Sequence, residues 1–335
     1  MAVHGLLVLL CVAATIRAAL AEPLVVTVSD SNRALHIDAR LGSEHRVYEV
    51  QGALQRLRKL YGRLEKCEYD ASAMRSELTS LGASVYGPLK SWLASCDEVQ
   101  YVVPTELLDC PLDLLMHDGR FLFLKRPVSF AFAPMPLEHF TFSPRWRAVI
   151  VSDPSADPQN GCAFLKHMLP ASSYCKADDL DLNEVREHPD ILLISAHGDI
   201  HFDDSDSIGL CDDDVKPRTL ARIAPRLVYL DSCQLGVSRR FVQAFLRAGT
   251  EYYLAPITSN EAGDSSTKTI RWFFERLRVG DTPTQALFAA RLRLFKTYEK
   301  TQPLPRLLWK SYPFRVYRLR VPNPGLRLDV RLKRN

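Results

Sequence analysis

Two polar turns, each ending a short apolar run, carry the residues of this chain that could do chemistry. The run Ile191–Ala196 stops at His197-Gly198, and the run Leu227–Leu230 stops at Asp231-Ser232-Cys233-Gln234. Apolar runs this short, bounded by proline or charge on one side and glycine on the other, predict fully buried parallel strands. Parallel α/β sheets hold their working residues just beyond the carboxyl ends of the strands. His197 and Cys233 lie 36 positions apart, room for one crossover between neighbouring strands. A thiol and an imidazole so placed are the parts of a nucleophile and its base. The thiolate is the attacking species, so a base near neutral pKa must take the thiol proton. Gly198 lets the backbone approach a substrate closely, and the N–H groups of Gly198 and Cys233 are candidate donors to an oxyanion. Taken singly, each residue has an ordinary alternative: an inert buried cysteine, or a histidine in a glycine turn.

The segments Ser195-Ala196-His197-Gly198-Asp199 and Leu230-Asp231-Ser232-Cys233 resemble the His and Cys motifs of caspase-like cysteine peptidases. Within that group the CHAT-domain branch is the most similar. Tyr101–Pro104, Cys110–Leu115 and Gly119–Leu122 resemble its opening hairpin, and Ser207–Leu210 with Thr219–Ala221 its strand and helix between His and Cys. Ala248–Thr250, Ala255–Ile257, Gly280 and Ala286-Leu287 follow in its order, and Trp309 matches its late aromatic residue, so the resemblance spans about residues 85–320. The resemblance implies a caspase-like α/β fold, a mostly parallel sheet with helices on both faces. It implies peptide-bond hydrolysis by a thiol protease with His197 as base and Cys233 as nucleophile, no cofactor and no metal. Metacaspases carry Asp two residues before the Cys, where it lines a pocket for Arg or Lys. Asp231 is therefore expected to bind a basic substrate residue, with capping the turn or satisfying backbone N–H groups as its alternative. Asp264 is a second substrate-binding candidate, with a helix cap as its alternative. The rival expectation is a CHAT-like interaction or signalling module that is catalytically silent or activated by a partner protein.

The elements that must position these groups are legible along the chain. Leu24–Val28 and Ala34–Ala39 predict a strand pair about the Ser29–Asn32 turn. Leu54, Leu57, Leu60, Tyr61 and Leu64 form a helical stripe within Val50–Leu64, read as packing surface. A second helix over Ala71–Leu93 is broken near Gly87-Pro88. Residues 22–84 are expected to form an N-terminal accessory layer, 85–321 the main domain and 322–335 a tail. Phe121–Phe132, interrupted by Pro127, suggests an edge hairpin. Ala148–Val151 before Ser152-Asp153-Pro154 predicts the first parallel strand and its turn. Arg239–Ala248 predicts a helix ended by Gly249, and Tyr252–Ile257 the next buried strand. Ser265 or Ser266 is expected to cap a helix closed by Gly280, and Thr282-Pro283-Thr284-Gln285 to start another that runs to about Tyr298. The alternation in Phe314–Val321 predicts a late edge strand.

The 335 residues are 47% hydrophobic, ample for a core, and the net charge of +4 argues against a dedicated nucleic-acid binder. The expected partners are a protein or peptide substrate and an activating protein. Residues 1–21 read as a signal peptide: Leu6–Ala14 is apolar and Ala19-Leu20-Ala21 offers a cleavage signature. Export, or a periplasmic site, follows if that segment is cleaved, and a cytoplasmic one if not; no membrane span is expected in the mature chain. Of eight cysteines, Cys11 would leave with the signal. Setting Cys233 aside then leaves Cys67, Cys96, Cys110, Cys162, Cys175 and Cys211, compatible with disulfides or with reduced thiols. Asp203, Asp204, Asp206 and Asp212–Asp214 could bind a hard cation, but their spacing follows no recognised calcium loop and reads as a solvated loop. His201 and Cys211 do not complete a zinc set.

Overall fold

Strand propensity along this chain resolves into one large sheet, seen in a computed structural model. The structure describes residues 22–320, apart from 68, 181, 183, 184, 186, 187, 201–204, 211 and 212. The signal-like segment 1–21, the tail from 322, and Asp203, Asp204, Asp212, His201 and Cys211 lie outside the described residues. The first strands are β1 (Leu24–Ser31), β2 (Ala34–Leu41), β3 (Glu44–Gln51), β4 (Val99–Val102), β5 (Met116–His117), β6 (Arg120–Phe121) and β7 (Val128–Ala131). They are followed by β8 (Ala148–Ser152), β9 (Ser173–Lys176), β10 (Ile191–Ser195), β11 (Gly198–Asp199) and β12 (Ser207–Leu210). The last are β13 (Asp213–Val215), β14 (Leu227–Asp231), β15 (Tyr252–Pro256) and β16 (Phe314–Arg318).

Eleven strands form the main sheet in the order β3-β2-β1-β4-β7-β16-β15-β14-β10-β8-β9. From β9 to β15 every pairing is parallel, β15 meets β16 antiparallel, and β16, β7, β4 and β1 are again mutually parallel. The result is an α/β fold with a mostly parallel mixed sheet flanked by helices.

Both faces of the sheet are covered, as continuous apolar strands require. On β10, Leu192 and Ile194 face one core with helices Ala53–Lys66, Ala71–Tyr86 and Arg239–Arg247. Ile191 and Leu193 face the other, with helices Cys162–Met168, Asp264–Arg278 and Pro283–Tyr298. The Gly87-Pro88 break falls between helix Ala71–Tyr86 and helix Lys90–Ser95. The helix at Thr282 starts with a full capping box and Pro at its first turn. The N-terminal strands continue the main sheet, since β1 pairs in parallel with β4, and residue 84 lies within helix Ala71–Tyr86.

Three expectations are corrected. Val128–Ala131 is no edge hairpin but the interior strand β7, with all four residues buried. Pro127 sits just before its first residue, so the missing N–H costs the strand no ladder bond, and the Pro127 carbonyl accepts from Val99 N–H. The strand Phe314–Arg318 is likewise interior, between β15 and β7. Its alternation suggested a wet edge only because Arg315 and Arg318 look solvent-facing; both are buried and hydrogen-bonded, Arg315 to the Leu108 and Cys110 carbonyls and Arg318 to that of Pro136. Finally, Ser265 and Ser266 do not cap their helix. It starts at Asp264 after Gly263, whose φ of 77° suits glycine, and the two serines are buried in the first turn.

Candidate functional site

The carboxyl ends of β8, β10 and β14 lie in register, with Ser152, Ser195 and Asp231 side by side. The chain leaves β8 for β9 on one side and returns to β10 on the other. Strand order therefore reverses between β8 and β10, and the carboxyl ends at such a reversal are where open α/β sheets bind their ligands. His197 follows β10 at this reversal, and Cys233 follows the neighbouring β14.

Gly198 is the point where the two turns meet. A Cβ built there would lie 2.8 Å from the Cys233 carbonyl oxygen and 3.2 Å from its backbone nitrogen, too close for any side chain. The His197 carbonyl accepts from Gly209 N–H, so the alternation of the β11–β12 ladder places Gly198 at a non-hydrogen-bonded pair with Ile208. Its N–H thus points away from β12. The Cys233 N–H has no hydrogen-bond acceptor among the described residues. Gln234, next in the turn, sits in the left-handed region at φ 59°, a strained conformation for a side-chain-bearing residue. Gly198→Ala is expected to push these backbones apart, lowering any Cys233-dependent turnover by about 100-fold while costing about 1–3 kcal/mol of stability. Steady-state kinetics alongside urea unfolding checks both.

His197 is held from the β8 side. Its Nε2 lies 2.9 Å from Ser155 Oγ, which donates its own proton to Asp153 Oδ1 at 2.7 Å. With that proton committed, Ser155 accepts from His197 Nε2–H, so in the neutral ring Nδ1 carries the free lone pair. Asp153 Oδ2 stands 4.0 Å from Nε2, and the ring is 67% exposed. Asp153 and Ser155 thus orient the imidazole, a role the sequence did not reveal; its one trace was the Ser152-Asp153-Pro154 turn after the first core strand.

Cys233 leans the other way, toward the loop after β15. Burial raises its thiol pKa; the Asn260 backbone and, more weakly, the nearby Ser259 side chain oppose that, and the negative charges of Asp231 and Glu65 add to the rise. The resting thiol is therefore protonated and needs a base. No hydrogen bond joins it to His197, so the structure brings the two turns together without coupling their side chains. Cys67, Cys96, Cys110 and Cys162 are, like Cys233, free thiols.

Asp231 is buried, 3% exposed, and accepts from Ser195 Oγ at 2.7 Å, Asn260 Nδ2 at 2.7 Å and Ser266 Oγ. It ties β10, β14, the β15 loop and a helix start into one knot. Burial pushes its carboxyl up to about 6, more than the hydrogen bonds pull it down, and nearby Asp157 adds to the rise. Because the folded pKa exceeds the ordinary 3.8, this group favours folding most at acid pH, and that contribution is lost as pH rises through about 6. Asp231→Asn should remove about 3 kcal/mol of this pH dependence. The stability difference between variant and wild type should therefore shift in the variant's favour between pH 4 and pH 8, as measured by urea unfolding.

Asp264 is engaged elsewhere. Lys268 and Lys310 pair with it at 2.6 and 3.1 Å, and Tyr298 donates at 2.8 Å. Burial would raise its carboxyl, but these three donors outweigh it and hold it at about 2. Its charge is matched within the fold. Of the acidic connection, Asp206 is buried and accepts from Ser238, and Asp214 accepts from Ser207. Among the described residues no group of three or more His, Cys, Asp or Glu could hold a metal ion, and no helix is long and apolar enough to cross a membrane.

Glu65, at the last turn of helix Ala53–Lys66, also reaches this loop: it accepts from Ser259 N–H at 3.0 Å and from Ser259 Oγ at 2.5 Å. The helical stripe before it was legible, its reach across 194 residues was not. No protein-family profile matches this chain, and a sequence search of curated proteins finds no match.

Proposed function

We propose that this chain is a caspase-like cysteine endopeptidase of the CHAT type, cleaving after a basic residue. The observation that carries the reading is the seat of Gly198 against the Cys233 backbone, which joins the His and Cys turns at the strand-order reversal. In the reaction, His197 rotates about its side-chain bonds, as its exposure allows, and Nδ1 takes the Cys233 proton. The thiolate attacks the scissile carbonyl carbon, and the oxyanion accepts from the Gly198 and Cys233 N–H groups. Imidazolium returns the proton to the leaving amine, giving a thioester. Water, deprotonated by His197, attacks the thioester and frees the acid and the thiol. Asp153, through Ser155, stabilises the imidazolium. The acidic field of Asp231 and Glu65 at the thiol favours a cationic substrate residue, with Asp264 too well paired to add to it.

The lack of a His197–Cys233 hydrogen bond favours a second reading, a module whose side chains couple only when a partner protein binds. Purified protein incubated with Arg-, Lys- and Asp-terminated peptide reporters separates the two. Cleavage after Arg supports the first; silence with every reporter, broken only by an added partner, supports the second.

A further inference from the structure

We infer that Glu65 is the carboxylate that receives the cationic side chain of the residue before the cut, an assignment that rests on the peptidase reading. Three carboxylates compete for that role. Asp231 is buried, and three donors from Ser195, Asn260 and Ser266 already occupy its two oxygens. A guanidinium needs two adjacent free acceptor positions, so it would have to break this knot. Asp264 is paired with Lys268 and Lys310.

Glu65 differs on both counts. It is half-buried, and its two oxygens bond a single residue, the neutral Ser259, leaving a second lone pair on each. Among the described residues no Lys or Arg forms an ion pair with it. Ser259 precedes Asn260, whose amide reaches Asp231 two residues before Cys233, so the anion stands beside the nucleophile. Partial burial there strengthens its attraction for an incoming cation relative to the open surface. Ser259 fixes the carboxylate orientation beforehand, so little order is lost on binding. The N-terminal helix thereby becomes part of the substrate site.

The test compares wild type with Glu65→Gln, which keeps shape and removes charge. Reporters ending in Arg and in uncharged Gln supply the first readout: kcat/KM for Arg should fall about 30-fold and that for Gln change less than about threefold. The second readout needs no turnover. Cys233 is modified with a cationic and an anionic methanethiosulfonate, and its own peptide is followed by mass spectrometry, apart from Cys67 and Cys175. Wild type should prefer the cationic reagent by about tenfold, and Glu65→Gln should lose that preference. An Arg preference or a reagent ratio that survives the substitution overturns the Glu65 assignment alone. Wild-type protein that cleaves no reporter overturns the peptidase reading, and the assignment with it.

Discussion

On the peptidase reading, Cys233→Ala is expected to cut turnover of an Arg-terminated peptide by at least about 10⁴-fold, because it removes the sulfur that would form the thioester. His197→Ala should cost about 10²–10⁴-fold, the range lost when a positioned acid–base group is removed. The resting thiol makes this loss certain to show: burial and two carboxylates keep it protonated, so it has no thiolate of its own to fall back on. The two substitutions should not add, since both remove the same step. Ser155→Ala should give a smaller loss that appears in kcat rather than KM, because Ser155 touches the imidazole and not the substrate. Neither Cys233→Ala nor His197→Ala should alter the urea midpoint much: His197 is exposed, and Cys233 is half-buried at a turn. Steady-state kinetics on matched preparations checks the series.

Asp113→Ala should have the largest effect on stability, about 3–5 kcal/mol. Asp113 is fully buried between Arg291 Nη1 at 3.0 Å and the Tyr312 hydroxyl at 2.6 Å, with Arg315 Nη2 at 3.9 Å. Arg291 comes from helix Pro283–Tyr298 and Arg315 from β16, so one carboxylate fastens the segment after β4 to the last strand of the sheet and to a helix packed against it. Removing it leaves two guanidinium groups in the interior with no anion, and burying an unpaired charge is among the costliest changes available. The loss is a large share of the 5–15 kcal/mol typical of a folded domain. Urea unfolding should show a lower midpoint at unchanged slope, and Asp113→Asn, which keeps a carbonyl acceptor, should fall between. A loss below about 1 kcal/mol would mean the arginines find other partners.

Much of this architecture can be read from residue order, and the reasons for the failures are physical. Ile191–Ala196 and Leu227–Leu230 announced themselves as buried strands because both of their faces are apolar, and their pairing as parallel neighbours followed from the length of the crossover. Thr282–Gln285 was legible because a capping box is a local signal. Phe314–Arg318 was misplaced at an edge because a buried arginine and an exposed one look alike until their partners are known. The polar strand β3 was overlooked for a related reason: it alternates half-buried and exposed residues with little apolar content. In the candidate site, Gly198 and Cys233 were named from their turns alone. Ser155 and Glu65 could not be, since each acts across a contact that exists only after the strands have taken their order, β8 beside β10 and the N-terminal helix beside the β15 loop. The same distance effect separates Asp231 from Asp264. Both were marked as substrate-binding candidates with a cap as the alternative, yet one is knotted to three neutral donors and the other paired with two lysines.

The most direct test of the shared cleft is covalent labelling with an Arg-terminated peptidyl acyloxymethyl ketone, the modified residue being located by mass spectrometry. The account predicts one adduct, on Cys233, formed at a rate that collapses in His197→Ala. Label spread over Cys67 and Cys175, or Cys233 labelling that proceeds unchanged without the imidazole, would contradict it.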